Sequence, residues 1–236
     1  MHDGQKSAMT TLQDVVPAWK VRPANMPTLT WRAAKLISLL SNPMVISLPC
    51  FAAVSWKATP HWRDRLRWWG IASLAMSLTP VVHIRWGVRT GRLSDHNISV
   101  RHERFWPYLT ELGAVGCSYL AMRALQAPRL MTGLVLTVAT GMVIITGVTL
   151  YWKMSIHVGG TSGTIMIMVL LYGQGWIPVF LFVPAVGWSR YVLEHHTVAQ
   201  AAAGAIIGAL VPVMVFRLLG LPGQEEVPTV APRNRV

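Results

Sequence analysis

The chain has 236 residues, 53% of them hydrophobic and 13% charged, with a formal net charge of +12 and a mean hydropathy of +0.42. That balance excludes a water-soluble globular domain and a disordered polyelectrolyte, and marks a polytopic membrane protein. It also argues against nucleic acid as a partner, because Lys and Arg beside apolar segments ordinarily set topology.

A helix crossing about 30 Å of hydrocarbon needs roughly 20 mostly apolar residues. Residues 1–32 are mixed and polar, with Lys6, Asp14, Lys20 and Arg22, so a polar N-terminal segment without a cleavable leader is expected there. Seven apolar windows follow, at about 33–56, 69–88, 109–125, 130–152, 157–172, 176–191 and 198–219, the fifth and sixth being short. Between the first two, "WKATPHWRDRLRWW" interleaves Lys57, Arg63, Arg65 and Arg67 with tryptophans, the composition of a headgroup-layer anchor. Cys50 and Cys117 both fall in apolar windows and are read as packing residues, as is His83. Residues 222–236 form a weakly polar tail containing three prolines, expected to be unstructured. The expected fold is therefore an all-α, polytopic transmembrane helical bundle of about six or seven spans (residues 33–221), in a multi-pass protein of the cell membrane.

Three polar knots interrupt this apolar chain: "GRLSDHNISVRHERFWPY" from Gly91, "YWKMSIHVGG" from Tyr151, and "SRYVLEHHTVAQ" from Ser189. Two apolar windows separate each knot from the next, and an even number of crossings returns a chain to the same face. All three knots are therefore expected on one side of the membrane, in one site. Pooled, they supply Arg101, Arg104, Lys153 and Arg190 as cations, Ser155 as a hydroxyl, and His157 and His196 as imidazoles. Guanidinium groups pair phosphate oxygens in a bidentate way, and helix starts after Ser155 and His196 would add N–H donors. Imidazole can act as nucleophile or as proton donor near neutral pH, so the two histidines can divide those roles. His195, Asp95, Arg101, His102 and Glu103 are read as neighbours of such a site rather than members.

The knots resemble the motifs of the type 2 phosphatidic acid phosphatase superfamily of membrane lipid phosphatases. Ser189-Arg190, then His196, then Gln200 keeps the spacing of the third motif, with Gln in place of the usual Asp, and "AQAAAGAIIGAL" resembles the small-residue helix that follows it. Ser155 and His157 keep the separation of the second motif, with Met154 and Ile156 in place of Pro and Gly. Arg104 stands for the first-motif arginine, with Asn97 at the lysine position and Phe105 at the proline position; Lys153 is a replacement ammonium. The resemblance covers about residues 92–219. It implies a lipid phosphate or diphosphate substrate, of isoprenyl diphosphate or phosphatidate type, with His196 as nucleophile forming a phosphohistidine. It makes His157 the general acid, Gln200 the orienting residue, and Arg104, Lys153, Ser155 and Arg190 the holders of the phosphoryl oxygens. No cofactor and no metal are expected. Two alternatives stay open: a catalytically silent relative that binds phospholipid, since an amide at 200 brings no charge, and a haem-binding protein using His83, His157 or His196.

Overall fold

A computed structural model describes residues 23, 26–96, 98 and 100–221. Most of the polar N-terminal segment, the tail at 222–236, and Asn97 lie outside the described residues. Those described are helical, without strands. In chain order they form α1 (Thr28–Leu40), α2 (Pro43–Ala58), α3 (Trp62–Ser73), α4 (Thr79–Arg89), α5 (Phe105–Ala124), α6 (Arg129–Tyr151), α7 (Ile156–Tyr172), α8 (Phe182–Val192) and α9 (Val198–Leu218). A π-helical turn, Leu74–Leu78, joins α3 to α4 without a break, and 3₁₀ turns precede α5 and α8.

Three stretches are long and apolar enough to cross a membrane: Trp62–Arg89, Arg129–Tyr151 and Val198–Leu218. A fourth arises if α1 and α2 are one span bent by 45° at their junction. The bend falls where Ser41 ends α1 and Asn42 caps α2, its side chain accepting from the Met44 N–H at 2.9 Å, with Pro43 opening the new helix. The expected first window is thus two helices. The fifth window is the 17-residue α7, whose rise of about 25 Å falls short of a hydrocarbon core. The sixth divides into the 3₁₀ run Gln174–Leu181 and the 11-residue α8.

Large apolar side chains face outward along these helices, among them Leu74, Leu120, Ile206, Leu210 and Leu218, all more than half exposed. An outer surface of that kind suits lipid rather than water and makes this an integral membrane protein. The tryptophan-rich corner between α2 and α3 stacks its cations on rings, with Arg65 4.7 Å from Trp56 and Arg67 4.7 Å from Trp68. Cys50 packs in the main core with Phe51 and Val54, whereas Cys117 is exposed on the outer side of α5. His83 meets Trp86 edge-on at 6.2 Å, a packing contact.

The contact that positions the functional end is α7 against α9. A Cβ placed on Gly204 would sit 2.6 Å from the Ser155 carbonyl oxygen, and one on Gly208 would overlap the Gly159 carbonyl. Only glycine allows backbones this close, the small-residue packing used between membrane helices. Close approach lets the Ser155 N–H donate to the Gln200 carbonyl at 3.3 Å, so the starts of the two helices are stitched together.

Candidate active site

The site lies at the end of the bundle where α4, α6 and α8 finish and α5, α7 and α9 begin. It brings together Arg104, Lys153, Ser155, His157, Arg190, His196 and Gln200. Their backbones are tied as well as their charges. Arg104 donates from Nε to the Ile98 carbonyl at 2.8 Å and from Nη1 to the Met154 carbonyl at 3.4 Å, joining the first knot to the second. Arg101 adds a parallel tie by donating to the carbonyls of Thr149 and Leu150 at the end of α6. Arg101 thereby ties the first knot to the end of α6.

Arg190, near the end of α8, is 1% exposed. Its Nη1 donates to the Ser38 hydroxyl of α1 at 2.6 Å, and its Nε has no partner. The chain then turns sharply, with Glu194 at φ 57° and the N–H groups of His195 and His196 both donating to the Arg190 carbonyl, at 2.9 and 3.2 Å. This is a helix-ending turn of the kind glycine usually fills, here made by Glu194. It delivers His196 beside the arginine that precedes it by six positions, which gives the spacing of these two residues a physical reason.

His196 is held from the other side by α9. The Gln200 side-chain oxygen accepts the Thr197 N–H at 3.1 Å, while the Thr197 hydroxyl accepts the Gln200 N–H at 3.3 Å, a complete capping box. Because the amide atom facing the Thr197 N–H must be oxygen, the same oxygen at 3.2 Å from His196 Nδ1 makes that nitrogen the donor. Nε2 then carries the lone pair. Burial, with Arg104, Arg190 and Lys153 nearby, pushes the His196 pKa down to about 2, and burial with Arg190 pushes that of His195 down to about 3. Both rings are neutral at pH 7, and His196 presents an unprotonated nitrogen. Glu194 is exposed and has no bond to His196, so it does not stand in for the carboxylate that Gln200 lacks.

α7 begins differently. Ser155 is its N-cap residue yet makes no capping bond. The Ser155 hydroxyl, 0% exposed, has no partner, and neither does His157 Nε2 one turn into the site. An orphaned buried polar atom costs about 1–3 kcal/mol, and with Arg190 Nε there are three here, a cluster suited to an acceptor-rich ligand. Lys153 stands at the edge of this cluster, half-buried, its pKa lowered to about 8 by burial and by Arg104 and Arg190, against the opposing charge of Asp95. With His195, His196, Thr197 and Gln200 it lines an open cleft of about 610 Å³.

Three members were not expected from sequence. Ser38, which orients Arg190, sits in an apolar window with no signal. Tyr108, buried, lies within hydrogen-bonding reach of Arg104; its spacing of four residues on α5 was the available signal. Asp95 is 4% exposed and acts electrostatically on Lys153, Arg190 and His195, which moves it from neighbour to participant in the charge balance. Among the described residues, no group of three or more His, Cys, Asp or Glu side chains is arranged to hold a metal ion. No family model, curated protein or solved structure matches the chain.

Proposed function

We propose that the chain is a lipid phosphatase of the type 2 phosphatidic acid phosphatase kind. In this reading it is a six- or seven-span protein of the cell membrane that hydrolyses a phosphate monoester or diphosphate of an isoprenyl diphosphate- or phosphatidate-type lipid. The observation that carries the reading is the trio of buried, unpartnered polar atoms, Ser155 Oγ, His157 Nε2 and Arg190 Nε, with Arg104 acting on His157 and Lys153 acting on the neighbouring His196. Phosphate supplies acceptor oxygens for these atoms and about −1.5 to −2 charges to face the surrounding cations.

His196 Nε2 attacks phosphorus in line with the lipid oxygen. The phosphorus–oxygen bond to the lipid breaks as the phosphorus–nitrogen bond forms, and His157, protonated in the presence of the dianion, gives its proton to the departing alkoxide. Arg190, Arg104, Lys153 and Ser155 hold the equatorial oxygens, where phosphoryl transfer needs most stabilisation. Water then attacks the phosphohistidine, its proton returning to His157, and inorganic phosphate leaves. Gln200 keeps His196 in the Nδ1–H tautomer throughout, with no charge to stabilise the imidazolium form.

Phosphate release by detergent-purified protein from isoprenyl diphosphates and phosphatidate tests this. His196→Ala should lower release by on the order of 10³-fold or more. An inert wild type that still binds labelled phospholipid would favour the second reading, a silent binder, for which the uncharged Gln200 is the supporting observation. A haem role for these imidazoles leaves the orphaned Ser155 and Arg190 atoms unexplained.

A further inference from the structure

A second, partly open cavity of about 240 Å³ lies between α2, α4, α5, α6, α7 and α9. Its walls are almost wholly apolar, and the polar side chains on it are nearly all engaged. The Ser47 hydroxyl pairs with that of Ser77 at 2.8 Å, the Thr137 hydroxyl donates to the Gly133 carbonyl at 2.9 Å, and the Thr164 side chain pairs with Cys50. Two polar atoms on this wall are left without partners: Ser155 Oγ, which belongs to the phosphate site, and Glu111 Oε2. Glu111 is 8% exposed, and neither the fold nor the proposed chemistry uses it.

A carboxyl kept in an apolar cavity at such cost asks for a partner that arrives with a ligand. Its position says where on the ligand that partner sits. Glu111 follows Arg104 by seven residues on the α5 helical path, which at 1.5 Å per residue places it about 10 Å along the helix from the phosphate-holding arginine. The cavity is below the roughly 300–1,000 Å³ usual for a small-molecule pocket, so it suits one narrow chain rather than a pair.

Resting on the phosphate-site reading above, we propose that this cavity holds the single apolar chain of a phosphorylated amphiphile and that Glu111 accepts a hydrogen bond from a hydroxyl partway along that chain. The unpartnered oxygen accepts from an O–H whether or not the carboxyl carries a proton, so the pairing needs no charge on the ligand. The phosphate at Ser155 and the hydroxyl at Glu111 act as a ruler, selecting chains by the distance between the two groups.

The test is calorimetric binding of dodecylphosphonate, which has no cleavable ester oxygen, to the full-length protein in detergent. It is compared with the positional isomers bearing one hydroxyl at successive carbons. One mid-chain isomer should bind about tenfold more tightly than the parent, the scale of one net hydrogen bond. Glu111→Leu should bring that isomer to parity with the parent, and Glu111→Gln, whose amide oxygen still accepts, should keep part of the preference. If no isomer outbinds the parent, or if the preference survives in Glu111→Leu, the inference is wrong. Phosphate release from the matching alkyl phosphates separates it from the enzyme reading: hydroxyl preference without release removes the hydrolase and leaves the ruler, and release without preference does the reverse. A parent phosphonate that does not bind at all removes both.

Discussion

The starts of α7 and α9 lie side by side and are built on opposite plans. At α9 both the hydroxyl and the amide of the cap are engaged, Thr197 with Gln200 and Gln200 with Thr197 and His196. At α7 the cap hydroxyl of Ser155 is buried and unengaged, and His157 behind it is likewise unpartnered. Capping contributes about 1 kcal/mol to a helix, so the open α7 start forgoes stability that the neighbouring helix takes. On the proposed phosphatase reading the difference separates two tasks: the closed start orients the nucleophile, and the open start receives the phosphate.

Substitutions at the two starts should therefore leave opposite signatures. Ser155→Ala should lower kcat/KM for phosphate release by roughly 10- to 100-fold, the worth of a hydrogen bond to a charged group. Its melting temperature should hold or rise, because an orphaned hydroxyl is removed. A parallel loss of activity and stability would make Ser155 structural. Gln200→Glu keeps the oxygen that serves Thr197 and His196 and adds a negative charge, so it should raise the His196 pKa and increase turnover by about tenfold. Unchanged turnover would mean that imidazolium stabilisation does not limit the rate. Thr197→Ala should cost about 1 kcal/mol of stability, read as a lower melting temperature, with a smaller fall in turnover.

The smallest effect is on pH dependence. Lys153, with a pKa lowered to about 8 by burial and the neighbouring arginines, loses its charge as pH rises through that value. The kcat/KM profile of the free enzyme should accordingly fall above about pH 8, and Lys153→Arg should remove that fall, since arginine stays charged. On the acid side, His195 and His196 titrate near 3 and 2 in the folded protein against about 6.5 unfolded. The unfolded chain takes up protons first, so the stability these two imidazoles contribute should be complete above about pH 6.5 and decline as pH falls toward 3.

What the sequence showed of this site was its short-range part. Ser189 to Gln200 could be read because one helix end, one tight turn and one helix start set the distances among Arg190, His196 and Gln200. Ser155 and His157 were readable for the same reason, being two positions apart at a helix start. Arg104 was readable as a cation, but its guanidinium is partly engaged with the carbonyls of Ile98 and Met154, and only the folded chain reveals that. Asp95 and Ser38 act through space, from segments with no periodic or spacing signal. For the helices, apolar length identified the segments and their all-α character. It could not show that Asn42 and Pro43 divide the first window in two, since capping there depends on local backbone geometry within an apolar run.

The bond from Arg190 to Ser38 spans 152 positions of the chain. During synthesis, α1 is complete long before α8 emerges, and the buried guanidinium gains its hydroxyl only when α1 is in place to meet it. The stretch from 92 to 219, where the polar knots lie, therefore draws a buried contact from outside itself. Expressed alone, it would leave Arg190 without the hydroxyl that α1 supplies, so a helix made early completes the surroundings of an arginine made late.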